Sequence, residues 1–250
     1  MPSGEILCYL KFFFLIFFRF DLFILLFASS SSSLSSSSSV VHRDVKPQNI
    51  MVDLATNRAK LIDFGSATNY HKEDNKNIGF APVVGTLQYR APELLFASQS
   101  YGEKVDLWSA GCVLGEMLQI DSSMPPGPFF PAETECDLFL RFFFCLGAPT
   151  YGDILSITMG CSTSSRELLL SLISSVSSPC ANVRAMDVSD FQAEGGEDKN
   201  MHVSAQQRRL VLHFGVDLLR LLLVYDPLVR ISAEEALLTS PFCQEQIKLR

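Results

Sequence analysis

Apolar residues fall on every side of a helix over residues 104–120, where Val105, Leu107, Trp108, Cys112, Val113, Leu114, Met117 and Leu118 leave no polar face. A helix that is apolar all round belongs inside a core. Upstream, Ile50–Leu54, Ala55–Arg58 and Ala59–Ile62 read as strand, turn and strand. Pro125, Pro126, Gly127, Pro128 and Pro131 mark a loop, and the Phe-rich stretch Glu133–Leu146 follows as a helix. Gln206–Tyr225 is a strongly apolar helix, and Ser232-Ala233-Glu234-Glu235 has the form of a capping box that opens a last helix through Leu238. Between these, residues 151–206 are Ser-rich, then acidic, with weak periodicity, and read as a divergent, partly disordered insert.

Residues 1–39 follow another rule. The apolar runs Phe12–Phe18 and Leu22–Ala28 are each shorter than the roughly 20 residues a spanning helix needs. Arg19 and Asp21 lie between them, where charge is costly in lipid. Lys11 stands late, and Glu5 makes the start less basic than a secretory leader. From Phe12 to Ser39 every residue is Phe, Leu or Ser except Ile16, Arg19, Asp21, Ile24 and Ala28, which is what a pyrimidine-only tract yields when translated. The expectation is that 1–39 form no domain, being a non-coding tract read as protein, with a targeting or anchoring segment as the alternative. The serine run cannot pack and is expected to be disordered.

About half of the 250 residues are apolar (48%), enough for a sizeable core. A net charge of −7 gives no basic footprint, which argues against nucleic acid as the main partner. Seven cysteines at irregular spacing, with no C-x-x-C pair, read as free thiols of a reducing compartment.

The chemistry concentrates in His42-Arg43-Asp44-Val45-Lys46-Pro47-Gln48-Asn49. Phosphoryl transfer needs an acceptor for a hydroxyl proton, oxygen ligands for magnesium and a cation near the moving phosphate. Asp44 offers the acceptor, Lys46 the cation, and Asn49 and Asp63 the hard oxygens that magnesium prefers.

In order and spacing, His42–Asn49, Asp63-Phe64-Gly65 and Ala91-Pro92-Glu93 resemble the catalytic loop and the two ends of the activation segment of eukaryotic protein kinases. The resemblance extends to Asp106-Leu107-Trp108-Ser109-Ala110-Gly111 and to Arg230 in YDPLVRIS. It implies Asp44 and Lys46 as catalytic, Lys46, Asn49 and Asp63 as ATP-binding, and Asn49 and Asp63 as magnesium ligands. It further implies Asp106 as a brace for the catalytic-loop backbone, a Glu93–Arg230 pair, and Thr86 as a partner of Asp44 and Lys46. His42 and Phe64 are expected to be packing residues. Arg43 is expected either to clamp a phosphate or to bond backbone carbonyls. No Ser, Thr or Tyr occurs between residues 76 and 84, so activity is expected not to depend on phosphate at the usual site.

Tyr89–Glu93, the stretch from Pro128 to Thr150 and the insert before LLLVYDPLVRISAEEAL resemble the CMGC group, which holds the cyclin-dependent, glycogen-synthase and casein-kinase-two-like families. Lys46-Pro47 is the Ser/Thr pattern. DFGSA leans to the glycogen-synthase type and HRDVKPQNIMVD to the casein-kinase-two type, and both stay open. The implied fold is mainly α, an α+β kinase architecture. Residues 40–250 form its large helical C-lobe, with short strands around the catalytic loop. The implied substrates are ATP with Mg2+ and a protein Ser or Thr, a following Pro being favoured through Arg90. The implied location is cytoplasmic or nuclear.

No G-x-G-x-x-G precedes residue 42, and no Lys stands in a V-A-I-K-like setting; Glu5 and Lys11 are the only candidates for the missing ion pair. The small N-lobe is therefore expected to be missing and the chain as given to be inactive, leaving an inactive kinase-like binding module or a membrane-tethered lobe as the alternatives.

Overall fold

The computed structural model describes residues 38–53, 58–71, 84–98, 101–119, 127–161, 163–176 and 205–239. The apolar segment at 11–28 lies outside them. So does the activation-segment stretch 76–82.

Four short strands surround the candidate site. β1 (Ser38–Val41) pairs antiparallel with β4 (Thr68–His71), with Val41 opposite Thr68. β2 (Ile50–Asp53) pairs antiparallel with β3 (Arg58–Leu61), with Ile50 opposite Leu61. Strand β1 begins two residues inside the serine run, which corrects the expectation that 1–39 are disordered to their end. A serine accepts an extended backbone when a partner strand satisfies its N–H and C=O groups, and β4 does so here. The outward side chains of β2 alternate as the period of a strand requires, with Met51 exposed and Ile50 packed against the core.

The remaining described elements are helices: α1 (Pro92–Leu95), α2 (Lys104–Gln119), α3 (Glu135–Leu146), α4 (Tyr151–Ile157), α5 (Thr163–Val176), α6 (Ala205–Leu222) and α7 (Ala233–Thr239). α2 is buried over 13 of its 16 residues, as a helix without a polar face must be. Gly111 and Gly115 lie one turn apart on it. A Cβ on Gly111 would meet Leu223 at 2.8 Å, and one on Gly115 would meet the Phe129 ring at 2.6 Å, so both glycines permit close packing. Trp108 is fully buried, edge-on to Phe142 at 4.9 Å, and Phe142 meets Phe130 at 4.7 Å. Each such aromatic pair contributes about 0.5–1.5 kcal/mol beyond its buried area.

α4 and α5 are the described helices of the stretch 151–206, which was expected to be a divergent, partly disordered insert. Thr150 and Asp153 form a reciprocal capping box, and Ile154 and Ile157, one turn apart, both face the core. Leu169 of α5 is fully buried. Three further helices start or stop within three residues of the expected positions: α3 opens at Glu135 behind its Thr134 cap, α6 ends at Leu222 rather than Tyr225, and α7 starts at Ala233 behind the Ser232–Glu235 box. Among the described residues no helix is long and apolar enough to cross a membrane.

Candidate active site

Strand β1 delivers the chain to His42, which is buried, and Arg43, whose φ of 67° lies in the left-handed region. A chain bent this way turns its N–H groups away from any ladder, so they need another acceptor. The fully buried carboxylate of Asp106 on α2 supplies it, accepting from His42 N at 2.6 Å and Arg43 N at 2.8 Å. Burial pushes the Asp106 carboxyl up to about 7, against the pull of those two N–H donors. The His42 ring donates from Nε2 to the Ile62 carbonyl (3.0 Å) and accepts the Asp44 N–H at Nδ1 (3.3 Å). Burial lowers its pKa despite the bond to Ile62, consistent with a neutral ring in the Nε2–H form.

Asp44 lies at the centre. One carboxylate oxygen accepts from Thr86 N (2.8 Å) and Thr86 Oγ1 (2.7 Å); the other accepts from Lys46 Nζ (2.8 Å) and Asn49 Nδ2 (3.1 Å). Burial alone would raise this carboxyl, but Lys46 and Thr86 outweigh burial and hold it below the usual range, so it is ionised at neutral pH. Thr86 also accepts from Lys46 Nζ at 2.8 Å, which closes a three-residue ring. Four donors on one carboxylate use about all the lone-pair sites it has.

Thr86 reaches Asp44 because Gly85 precedes it. Gly85 has a φ of 81°, and a Cβ there would stand 2.4 Å from the Arg43 carbonyl oxygen. Gly85→Ala is therefore expected to lose about 1–2 kcal/mol from the backbone conformation alone. The collision adds to that loss and lifts Thr86 from Asp44. Denaturant unfolding should show the destabilisation.

Asn49 is buried and gives its amide N–H groups to the Asp44 carbonyl (2.8 Å) and carboxylate, which leaves Oδ1 as an acceptor. Asp63 caps the 3-10 turn Phe64–Ser66 in a left-handed conformation (φ 62°), with one oxygen on Gly65 N at 3.3 Å and the side chain exposed. Two hard oxygen donors suit Mg2+, which keeps several waters and takes the rest of its shell from substrate phosphates. Among the described residues no three His, Cys, Asp or Glu side chains group as a metal site.

The outer residues fall into two sets. Arg43 bonds the Ser66 carbonyl from Nε (2.6 Å) and the Tyr101 hydroxyl from Nη1 (3.1 Å). The Ser66 bond is of the backbone-carbonyl kind, one of the two roles expected of Arg43. Arg90 is buried and bridges the Gly85 carbonyl (3.0 Å) and Glu135 of α3 (2.7 Å). Glu93 and Arg230 form a bidentate pair at 2.8 and 3.0 Å, both fully buried. Asp44, Lys46, Asn49 and Thr86 thus touch directly, Asp63 joins them through His42 and Ile62, and Glu93 with Arg230 stands apart as a support. Phe64 meets His42 edge-on at 4.9 Å yet is 56% exposed, less packed than expected because no described residue covers its outer face. Gly85, Tyr101 and Glu135 were not among the residues the sequence singled out. A glycine directly before Thr86 was the one available signal, since Tyr101 and Glu135 act through partners more than 40 positions away.

Compared with known proteins, residues 34–128 match the protein kinase domain family. That match opens inside the serine run, ahead of the boundary expected at residue 40. Mitogen-activated protein kinase 15 of Xenopus laevis is 36% identical over 205 residues, covering 80% of this chain and 29% of that protein. The chain thus spans under a third of the length of that relative.

Proposed function

Because this chain belongs to the protein kinase family, within its CMGC group, we propose that it carries the large-lobe half of a Ser/Thr protein kinase site, of the mitogen-activated kinase type. The observation that carries this reading is the Asp44 carboxylate, held by Thr86, Lys46 and Asn49 with Asp63 nearby. ATP with Mg2+ is the phosphate donor, and the acceptor is a Ser or Thr of a protein in the cytoplasm or nucleus. When bound, the metal supplies charge neutralisation at the phosphates. Asn49 Oδ1 and Asp63 would hold it.

The residues of the chain divide the remaining work. All four acceptor positions of Asp44 are filled, so a substrate hydroxyl needs one of them vacated. Lys46 is the group to leave. Its ammonium is a flexible point charge, and a γ-phosphate competes for it directly. Its departure opens one Asp44 oxygen to the hydroxyl proton while Thr86 keeps the other fixed. Arg43 bonds Ser66 and Tyr101, which supports assembly of the site without a phosphate on the activation segment.

These 250 residues contain no G-x-G-x-x-G. The chain by itself is therefore proposed to turn over far below the roughly 1–100 per second of kinases. The test is a single-turnover assay over hours with radiolabelled ATP, Mg2+ and a mixed-sequence peptide library. Label on Ser and Thr, with none on Tyr, supports the reading, and prior phosphatase treatment should leave the rate unchanged. Label on Tyr, or a large loss after phosphatase, counts against it. A protein that binds partners without any transfer supports the second reading, an inactive binding module. The apolar residues favouring that reading are Met51, Ile62 and Phe64, all exposed, the last two flanking Asp63 in sequence.

A further inference from the structure

Ile62, Phe64 and Ser66 alternate around Asp63 and Gly65, and two adjacent residues hold all three. His42 bonds the Ile62 carbonyl and meets the Phe64 ring, while Arg43 Nε bonds the Ser66 carbonyl. His42 is fixed by its own burial. Arg43 is a long side chain with many rotamers, rising from a backbone conformation that L-residues rarely adopt. Its N–H is tied to Asp106, but its guanidinium needs a second anchor to aim Nε. Tyr101 gives that anchor. It is 5% exposed, lies just ahead of α2, belongs to no recognised motif, and accepts from Nη1 at 3.1 Å. The guanidinium is a rigid fork, so fixing one arm orients the others.

We propose that Tyr101 is a positioning residue, which through Arg43 fixes the Phe64–Ser66 turn and thereby the carboxylate of Asp63. The consequence for metal binding rests on the reading of Asp63 as a cation ligand, whereas the mechanical link does not. A tyrosine present only for packing would keep its ring and lose nothing with its hydroxyl, so Tyr101→Phe separates the two roles.

The experiment measures amide hydrogen exchange on the purified chain. Gly65 N–H bonds Asp63 and Ala67 N–H bonds the Phe64 carbonyl, so both report on the turn. In Tyr101→Phe these two amides should exchange about tenfold faster or more, the size of one hydrogen bond to a charged group, while α2 amides such as Leu114 hold their rate. Arg43→Lys, which keeps the charge but loses the planar fork, should do the same. The double variant should exceed neither single by much, because both cut one path. Mn2+ affinity in the presence of ATP, read by paramagnetic resonance, should fall several-fold in each.

Unchanged exchange at Gly65 and Ala67, or a rise shared equally by α2, would overturn the link. Additive effects of the two substitutions would overturn it as well. Faster exchange with unaltered Mn2+ affinity in a protein that does bind Mn2+ would overturn the step from turn to carboxylate. A protein that binds no Mn2+ at all but shows the exchange effect sinks the reading of Asp63 and leaves the link standing. Should Tyr101→Phe not fold, Tyr101→His, which keeps a ring and lacks the phenol hydroxyl, decides the link by the same two amides.

Discussion

Glu93→Gln lowers the free energy of unfolding by about 3–5 kcal/mol, the usual consequence of removing one partner from a fully buried ion pair. Few single changes in this chain should cost more. Arg230 Nη1 and Nη2 bond both Glu93 oxygens, its other donors reach the carbonyls of Lys104, Val224 and Tyr225, and its guanidinium lies over Trp108 at 5.1 Å from the ring centre. Without Glu93 the cation stays in the core with no counter-charge. A domain has only about 5–15 kcal/mol in hand, so the variant should unfold at a much lower denaturant midpoint with little change in slope. The double substitution Glu93→Gln, Arg230→Met should recover much of the loss, because apolar groups often replace a buried pair without penalty. If the double variant were no better than the single, the bonds from Arg230 to the three carbonyls would matter more than its pairing with Glu93.

Asp44→Asn should reduce phosphoryl transfer by about 10²–10⁴-fold, the range for a lost general acid–base group. The substitution is nearly isosteric, so the chain should stay folded. The amide has one acceptor oxygen, so it cannot keep one oxygen on Thr86 and offer a second to the substrate hydroxyl. Transfer is read as single-turnover label on peptide, and binding of Mg·ATP is measured separately by calorimetry. The expected result is a lost rate with nucleotide affinity changed far less. A variant retaining more than a tenth of the rate would remove Asp44 from the role of proton acceptor.

Much of this site was legible because its chemistry is local in sequence. Asp44, Lys46 and Asn49 span six positions, and their spacing alone suggested a proton acceptor, a cation and an amide oxygen. The buried helix was equally plain, since α2 has no polar face over four turns. The residues that aim these groups were not. Tyr101 lies 58 positions from Arg43, and Glu135 lies 45 from Arg90. Neither carries a pattern of its own. The two helices after residue 150 were not legible, for a different reason. α4 is only seven residues long and closes its capping box with Asp153 at the third helical position, where Glu is the more familiar signal, and serines dilute the apolar repeat of α5. Its Thr150-x-x-Asp153 box and the spacing of Ile154 and Ile157 were sufficient to find it.

The close seating of α2 against the end of α6 has a consequence in time. Gly111 packs on Leu222 and Leu223, and the carbonyl of Lys104 at the start of α2 waits for Arg230, which is 126 positions downstream. At about 5–20 residues per second, a ribosome needs roughly 6–25 s to make that stretch. Throughout that interval a helix that is buried over 13 of its 16 residues in the folded protein has been synthesised but its partner has not. Two glycines weaken it as an isolated helix by about 1 kcal/mol each, so it gains little by forming early. The nascent chain should therefore depend on a holding chaperone until residue 230 has emerged, and a stop codon placed even a few residues before Arg230 should send it to degradation rather than yield a smaller folded product.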